Sequence, residues 1–205
     1  MSTDKRPPHW AETILRLLLD VRRQEDVTGD LLEEYRESIV PALGSRADSW
    51  YLRQVAWHVA RHVMLPAALI ALILIVRDLF DTLDPVHYVP GVIHPRSSLM
   101  SWALIVTFAC AAGRTTWLTS RIRSGVLVAF ASAVLGGICS AVGAGVLLAI
   151  WHDPATLHAW ETSGGLDEAL WGVPLLLIPI GGVTGAAGAL LTKLLSLPFS
   201  TNRYQ

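Results

Sequence analysis

The run GVLVAFASAVLGGICSAVGAGVLLAI, Gly125 to Ile150, contains no charged residue and no proline. At 1.5 Å of rise per residue it is longer than the roughly 30 Å hydrocarbon core of a bilayer, which about 20 mostly apolar residues cross as a helix. Three further segments fit the same description: Val63–Leu83, Leu99–Leu118 and Ala169–Leu195. The first carries Arg77 and Asp78 after its apolar centre, and the last two of the four exceed the minimum length, so tilt or a frayed end is expected there. The expected fold is therefore all-α: a polytopic membrane protein whose four transmembrane helices occupy residues 63–198. A small cytoplasmic three-helix domain, residues 1–62, is expected ahead of them, and a short cytoplasmic tail, 199–205, after them.

Composition supports this division. Only 16% of the 205 residues are charged against 52% apolar, whereas a soluble domain carries about 25% charged residues. Nine of the sixteen Lys and Arg residues lie before Val63. No uncharged apolar run followed by a small-residue cleavage site opens the chain, so no signal peptide is expected. Cys110 and Cys139 fall inside apolar spans and are expected to be buried free thiols.

Loop charges set an expected direction. The N-terminal region is rich in Arg, and the second loop carries Arg121 and Arg123, with Arg114 one to two turns inside the preceding helix. Lys193 and Arg203 lie near the C-terminus. The first loop has only Arg96, and the third, Trp151–Glu168, has no Lys or Arg. The positive-inside rule then puts both termini in the cytoplasm. Trp50, Trp57, Trp102, Trp117, Trp151 and Trp171 fall near the span ends, where an amphipathic ring is at home.

Small residues recur at every fourth position in the third span, as Ala129, Ala133, Gly137, Ala141 and Gly145, and in the fourth, as Gly181, Gly185 and Ala189. In lipid, helices associate through close backbone approach along such faces. They read either as a packed helix pair or as a surface for self-association and, in the extreme, a pore; Ser132, Ser140 and Thr184 are the polar groups that would face a pore. Pro174 and Pro179 are expected to kink the fourth span, since each removes a backbone donor. Arg77, Asp78 and Asp81 form a charged constellation near membrane depth, with Arg77 and Asp81 on one helix face. It reads as a functional site or as an interfacial anchor, because Arg77 lies about 21 Å along the helix from Val63 and can snorkel.

Motifs for chemistry are missing. There is no phosphate-binding G-x-x-x-x-G-K-[ST] loop, no C-x-x-C, no H-E-x-x-H and no G-x-S-x-G. His58 and His62 stand one turn apart, a spacing that suits a metal or a haem, yet the other spans offer no facing histidine. The outer loops hold His87, His94, His152, Asp153, His158 and Glu161, donor types suited to divalent metals but without the spacing of a metal site. No enzyme activity, metal or cofactor is expected.

The N-terminal region reads as three helices. Ile14, Leu18 and Val21 make an apolar stripe on the first. Asp30 and Glu33 form a capping-box pattern that would open the second, with Leu31, Tyr35 and Ile39 on its apolar face and Glu33, Glu34 and Glu37 elsewhere. Pro41 and Gly44 would end it, and Asp48 or Ser49 would start the third, WYLRQVAWHVARH, leading into the first span. A helix as short as the second is marginal alone and must pack on its neighbours.

The combination LLLD…EDVTGDLLEEYRE…ADSWYLRQV resembles the permease prefix domain, a short module that precedes the membrane part of bacterial ABC-type permeases of the macrolide-exporter-like class. The likeness rests on Gly29, Asp30, Leu31, Glu33, Glu34, Tyr35 and Arg36, then Trp50, Tyr51, Arg53 and Gln54, within residues 10–60. Such permeases are longer and carry a large extracytoplasmic domain after their first span, where this chain has about 16 residues. The resemblance implies a cytoplasmic interaction or assembly role and supplies no catalytic residues. The expectation is a non-enzymatic accessory or regulatory protein of the bacterial inner membrane. Asp30, Glu33, Glu34, Arg36, Arg53 and Gln54 would form its docking face. Its partners would be the lipid bilayer and either ABC-type transporter subunits or further copies of the chain, with no nucleic acid. The alternative from another class is a small oligomeric channel or transporter built on the glycine-rich third and fourth spans.

Overall fold

The computed structural model describes residues 6–19, 24–83, 95–151, 154, 158, 161 and 167–200, without the side chains of 81, 82, 95–97 and 197–200. Among the described residues nearly all are helical and none lies in a strand. The elements are α1 (His9–Leu18), α2 (Gln24–Glu34), a π-helical turn (Tyr35–Ile39), α3 (Val40–Leu43), a 3₁₀ turn (Gly44–Arg46), α4 (Ala47–Leu83), α5 (Pro95–Thr119), α6 (Ile122–Ile150), a second π-helical turn (Glu168–Gly172) and α7 (Val173–Ser200).

Helices α4, α5, α6 and α7 are each long and apolar enough to cross a membrane. They make five of the six pairwise interfaces a four-helix cluster allows: α6 with α7, α5 with α7, α4 with α6, α5 with α6 and, least extensively, α4 with α5. The cross-section is thus a rhombus, with α5 and α6 across its short diagonal and α4 and α7 at its far corners. Each helix gives two residues to the central core: Ile70 and Leu74, Phe108 and Ala112, Ala129 and Ala133, Leu177 and Ala189. Around that core the outer surface is apolar, with Leu65, Leu72, Val106, Val142, Val183 and Leu191 all more than half exposed. Monomeric soluble proteins rarely carry contiguous apolar patches larger than a few hundred Å²; lipid is the solvent that such a surface fits.

The sequence expectation for the first span differs from the structure at its start. The third N-terminal helix and the first span are one helix, α4, uninterrupted from Ala47 to Leu83 and running through Pro66. Helix interiors propagate at little cost once nucleated, and nothing in WYLRQVAWHVARHVML stops the helix. The second helix also begins earlier than expected. Its described part already begins at Gln24, so Gly29 and Asp30 are interior and the Asp30–Glu33 pattern caps nothing. The acidic first turn of Glu25 and Asp26 favours the earlier start through the helix dipole. Gly44 does end α3, in the left-handed region at φ 54°.

The N-terminal helices pack at one end of the bundle. Ala11 and Leu15 of α1 bury against Tyr35, Val40, Ala47, Tyr51 and Val55, while Leu18 reaches Val63, Ala67 and Val128 in the spans. Tyr35 and Tyr51 meet edge to face, centroids 5.6 Å apart at 77°, a favoured aromatic geometry. Ile14, Leu31 and Ile39 pack against this cluster as their spacing predicts; Val21 lies outside the described residues.

Candidate functional site: a docking face, two helix seams and a charged cluster

The six residues of the expected docking face divide by environment. Asp30, Glu33, Glu34, Arg36 and Arg53 are exposed, and Gln54 is half-buried. The tyrosine pair holds the π-helical turn that follows α2 to α4. Tyr35 donates its phenol hydrogen to Asp48, and burial, with that bond and the Asp48 charge adding to it, pushes the Tyr35 phenol well above its ordinary range. Tyr51 is pushed up too, by burial and then the charge of Glu12, against an opposing effect of Arg16. Its hydroxyl is buried with no hydrogen-bond partner among the described residues.

This end of the molecule is tied to the spans by polar contacts. The Arg121 guanidinium, in the turn between α5 and α6, donates to the Arg16 carbonyl at 2.7 Å and to Gln24 Oε1 at 2.6 Å. Ser124 donates to the Leu17 carbonyl, and Lys193 of α7 to the Ser120 carbonyl at 3.2 Å. The carbonyls at Arg16 and Leu17 are among the last of α1, which lack partners inside the helix; a guanidinium and a hydroxyl from the α5–α6 segment satisfy them. In the sequence Arg121 reads only as a topogenic charge, because nothing in its spacing announces a contact more than a hundred residues away.

The small-residue stripe of α6 packs against α7 over part of its length. A methyl on Gly185 would come within 2.4 Å of Ala129 Cβ, one on Gly181 within 2.9 Å of Ala133 Cβ, and one on Gly137 within 3.1 Å of Pro174 Cα. Ala189 is fully buried and Ala141 partly so. Gly145 departs from the expectation: it is exposed and has nothing within 4 Å of the position a Cβ would take. A four-residue step advances about 40° beyond a full turn of a 3.6-residue helix, so four steps from Ala129 carry Gly145 about 160° round the axis. The seam instead passes to Ala144, which buries against Ala169. Pro174 follows closely on the π-helical turn Glu168–Gly172, which runs on into α7; the widened turn already interrupts the regular hydrogen-bond ladder where the proline lacks its donor.

A second small face on α6 was not anticipated. Gly136 admits Ile70, whose Cγ2 lies 2.8 Å from where a Cβ would sit, and Gly143 admits Ile75 Cδ1 at 2.6 Å. Ser132 donates to the Val63 carbonyl at 3.4 Å. The adjacent pair Gly136–Gly137 thus serves both faces, the clearest sign in the sequence of a helix packed on two sides. Likewise Gly188 brings α7 onto α5, its hypothetical Cβ 2.5 Å from the Ala109 carbonyl oxygen.

At the opposite end, Asp78 is buried and Arg77 lies beside it, guanidinium to carboxylate 3.3 Å. Arg77 also reaches Glu168 of the turn before α7 at 3.6 Å. The expected Arg77–Asp81 face is therefore used toward Asp78 and Glu168; the Asp81 side chain lies outside the described residues. The cluster bridges α4 and α7, the two corners of the rhombus that share no substantial apolar interface.

His58 and His62 are half-buried on α4. His158 and Glu161 are exposed, while His87, His94, His152 and Asp153 lie outside the described residues. Among the described residues no three His, Cys, Asp or Glu side chains come together to hold a metal. Cys110 and Cys139 are free, as expected, but exposed on the outer surface rather than buried. Trp57, Trp102, Trp117 and Trp171 are each more than half exposed on the outer surface.

Fold and surface together define a class: the described residues are helical, and four helices long and apolar enough to cross a membrane fit a multi-pass membrane protein. No protein-family model, no curated protein and no solved structure matches this chain.

Proposed function

We propose that the chain is a non-enzymatic accessory or regulatory protein of a membrane complex, with its N-terminal helices and both termini on the cytoplasmic side of a bacterial inner membrane. The observation that carries this reading is the outward charged face of α2: the Asp30, Glu33 and Glu34 side chains are exposed and, among the described residues, hold no ion pair or hydrogen bond. The fold does not use them, which leaves them available to a partner. Arg121 and Ser124 tie the same helical unit to the α5–α6 turn, so occupancy of the face is mechanically linked to the spans. The loop-charge asymmetry supports the orientation, and the resemblance of residues 10–60 to the permease prefix domain supports a partner of the ABC-type exporter class.

The test is co-purification from native membranes in mild detergent. Wild type is expected to bring down a stoichiometric transporter or ATPase subunit, and Glu33→Lys/Glu34→Lys to lose it while keeping its melting temperature. Recovery of a homogeneous protein without companions, or a double variant that retains them, overturns the reading. The channel alternative has less support, since Gly137, Gly181 and Gly185 are filled by Pro174, Phe108, Ala133 and Ala129 of the same chain and line no lumen.

A further inference from the structure

The two arginines that stand within the spans have opposite environments. Arg77 has two carboxylates, Asp78 and Glu168. Arg114 stands five residues before the end of α5, about 7.5 Å inside the helix, and no carboxylate among the described residues pairs with it. A guanidinium at that depth without a counter-charge is costly even when it snorkels. Arg114 and His62 line one groove of about 310 Å³ between α4 and α5, the least extensive of the span interfaces, and the groove's walls are Leu65, Leu69, Val106 and Cys110. Leu65 and Val106 are more than half exposed, so the groove opens on the outer apolar surface. The wall hydroxyls are already engaged: Thr107 bonds the Ala103 carbonyl at 2.7 Å and Thr115 the Ala111 carbonyl at 2.9 Å. What remains is an apolar channel with a cation and an imidazole among its lining groups.

We propose that this groove is a site for an anionic phospholipid in the leaflet on the side of the N-terminal helices, with the headgroup phosphate on the Arg114 guanidinium and His62 and one acyl chain along Leu65, Leu69, Val106 and Cys110. A phosphate offers Arg114 the bidentate acceptor that the protein does not provide, and basic pockets between spans are suited to anionic headgroups. The acyl chain fills an interface where α4 and α5 pack least against one another.

Native mass spectrometry of the full chain, from micelles doped with equal phosphatidylglycerol and phosphatidylcholine, tests this. Wild type is expected to retain phosphatidylglycerol about fivefold over phosphatidylcholine, the preference one basic side chain confers near an anionic surface. Arg114→Gln is expected to abolish the preference, and Val106→Trp, which obstructs the wall while leaving the charge, to abolish retention of both lipids. Arg123→Gln, an exposed arginine of the α5–α6 segment, should leave it unchanged. Equal retention of the two lipids by wild type, an Arg114→Gln protein that keeps the preference at an unchanged melting temperature, or displacement of the lipid by millimolar inorganic phosphate would each overturn the proposal.

Discussion

Substituting Gly185 by alanine adds one methyl to the seam between α6 and α7, and the structure fixes what that methyl meets. Its carbon would lie 2.4 Å from Ala129 Cβ, whereas carbon atoms rest about 3.5–4.0 Å apart. Neither atom can rotate away, since a Cβ is set by its backbone, so the two helices must separate by about 1 Å. A radial gap of that size forfeits about a quarter to a half of each dispersion contact along the seam; one surplus methyl in a packed core costs about 1–3 kcal/mol, and with both carbons fixed by backbone the upper part of that range, about 2–3 kcal/mol, applies here. Alanine's better helix propensity returns about 1 kcal/mol at most, which leaves a net loss of about 1–2 kcal/mol. Gly145 lies on the same four-residue stripe but has open space at its Cβ position, so Gly145→Ala is expected to be neutral or slightly stabilising. Thermal unfolding in one detergent, read by tryptophan fluorescence, should place Gly185→Ala about 3–6 °C below wild type and Gly145→Ala at or above it. The double variant Gly185→Ala/Ala129→Gly moves the methyl across the seam and should recover most of the loss, a coupling within the 0.5–3 kcal/mol seen for touching residues. Equal melting temperatures for Gly185→Ala and Gly145→Ala, or no recovery in the double variant, would refute the seam.

Two further predictions concern the ends of the bundle. Asp78→Ala removes a buried carboxylate from beside Arg77 and is expected to cost about 3–5 kcal/mol, while Glu168→Ala, at the exposed arm of the same cluster, should cost under about 1 kcal/mol; a reversed order in chemical denaturation would show that Glu168 is the principal partner. For Tyr35 the folded phenol is held above the ordinary value of about 10, so the unfolded chain releases its proton first as pH rises. The stability Tyr35 contributes is therefore complete below about pH 10 and is lost as pH climbs beyond it. Tyr35→Phe should flatten that alkaline decline, and a wild-type phenolate absorbance at 295 nm titrating fully at pH 10 would contradict the burial.

That four helices are long and apolar enough to cross a membrane was legible in the sequence because it rests on a local quantity, apolar length against bilayer thickness. The run Gly125–Ile150 requires no partner to be read as a span. The apolar stripe of Leu31, Tyr35 and Ile39 and the terminator Gly44 were legible for the same reason, each depending on residues within a turn or two. Elsewhere the structure departs from the local pattern. The Asp30–Glu33 pattern is a valid start signal, but helix propagation from Gln24 overrides it. Gly145 belongs to the stripe by spacing and leaves it by rotation, since a four-residue repeat does not match a 3.6-residue turn.

The sequence alone determined that this chain presents four apolar helices and a polar N-terminal region, because hydrophobicity and charge add up along the chain whatever the fold. Only the tertiary structure decided which glycine meets which helix, that α6 packs on two sides, and that Arg121 satisfies carbonyls at the end of α1. It also decided that Arg77 has carboxylates within reach while Arg114 has none among the described residues. Those outcomes depend on distances between residues remote in sequence, which are set when the helices close on one another and not by any local pattern.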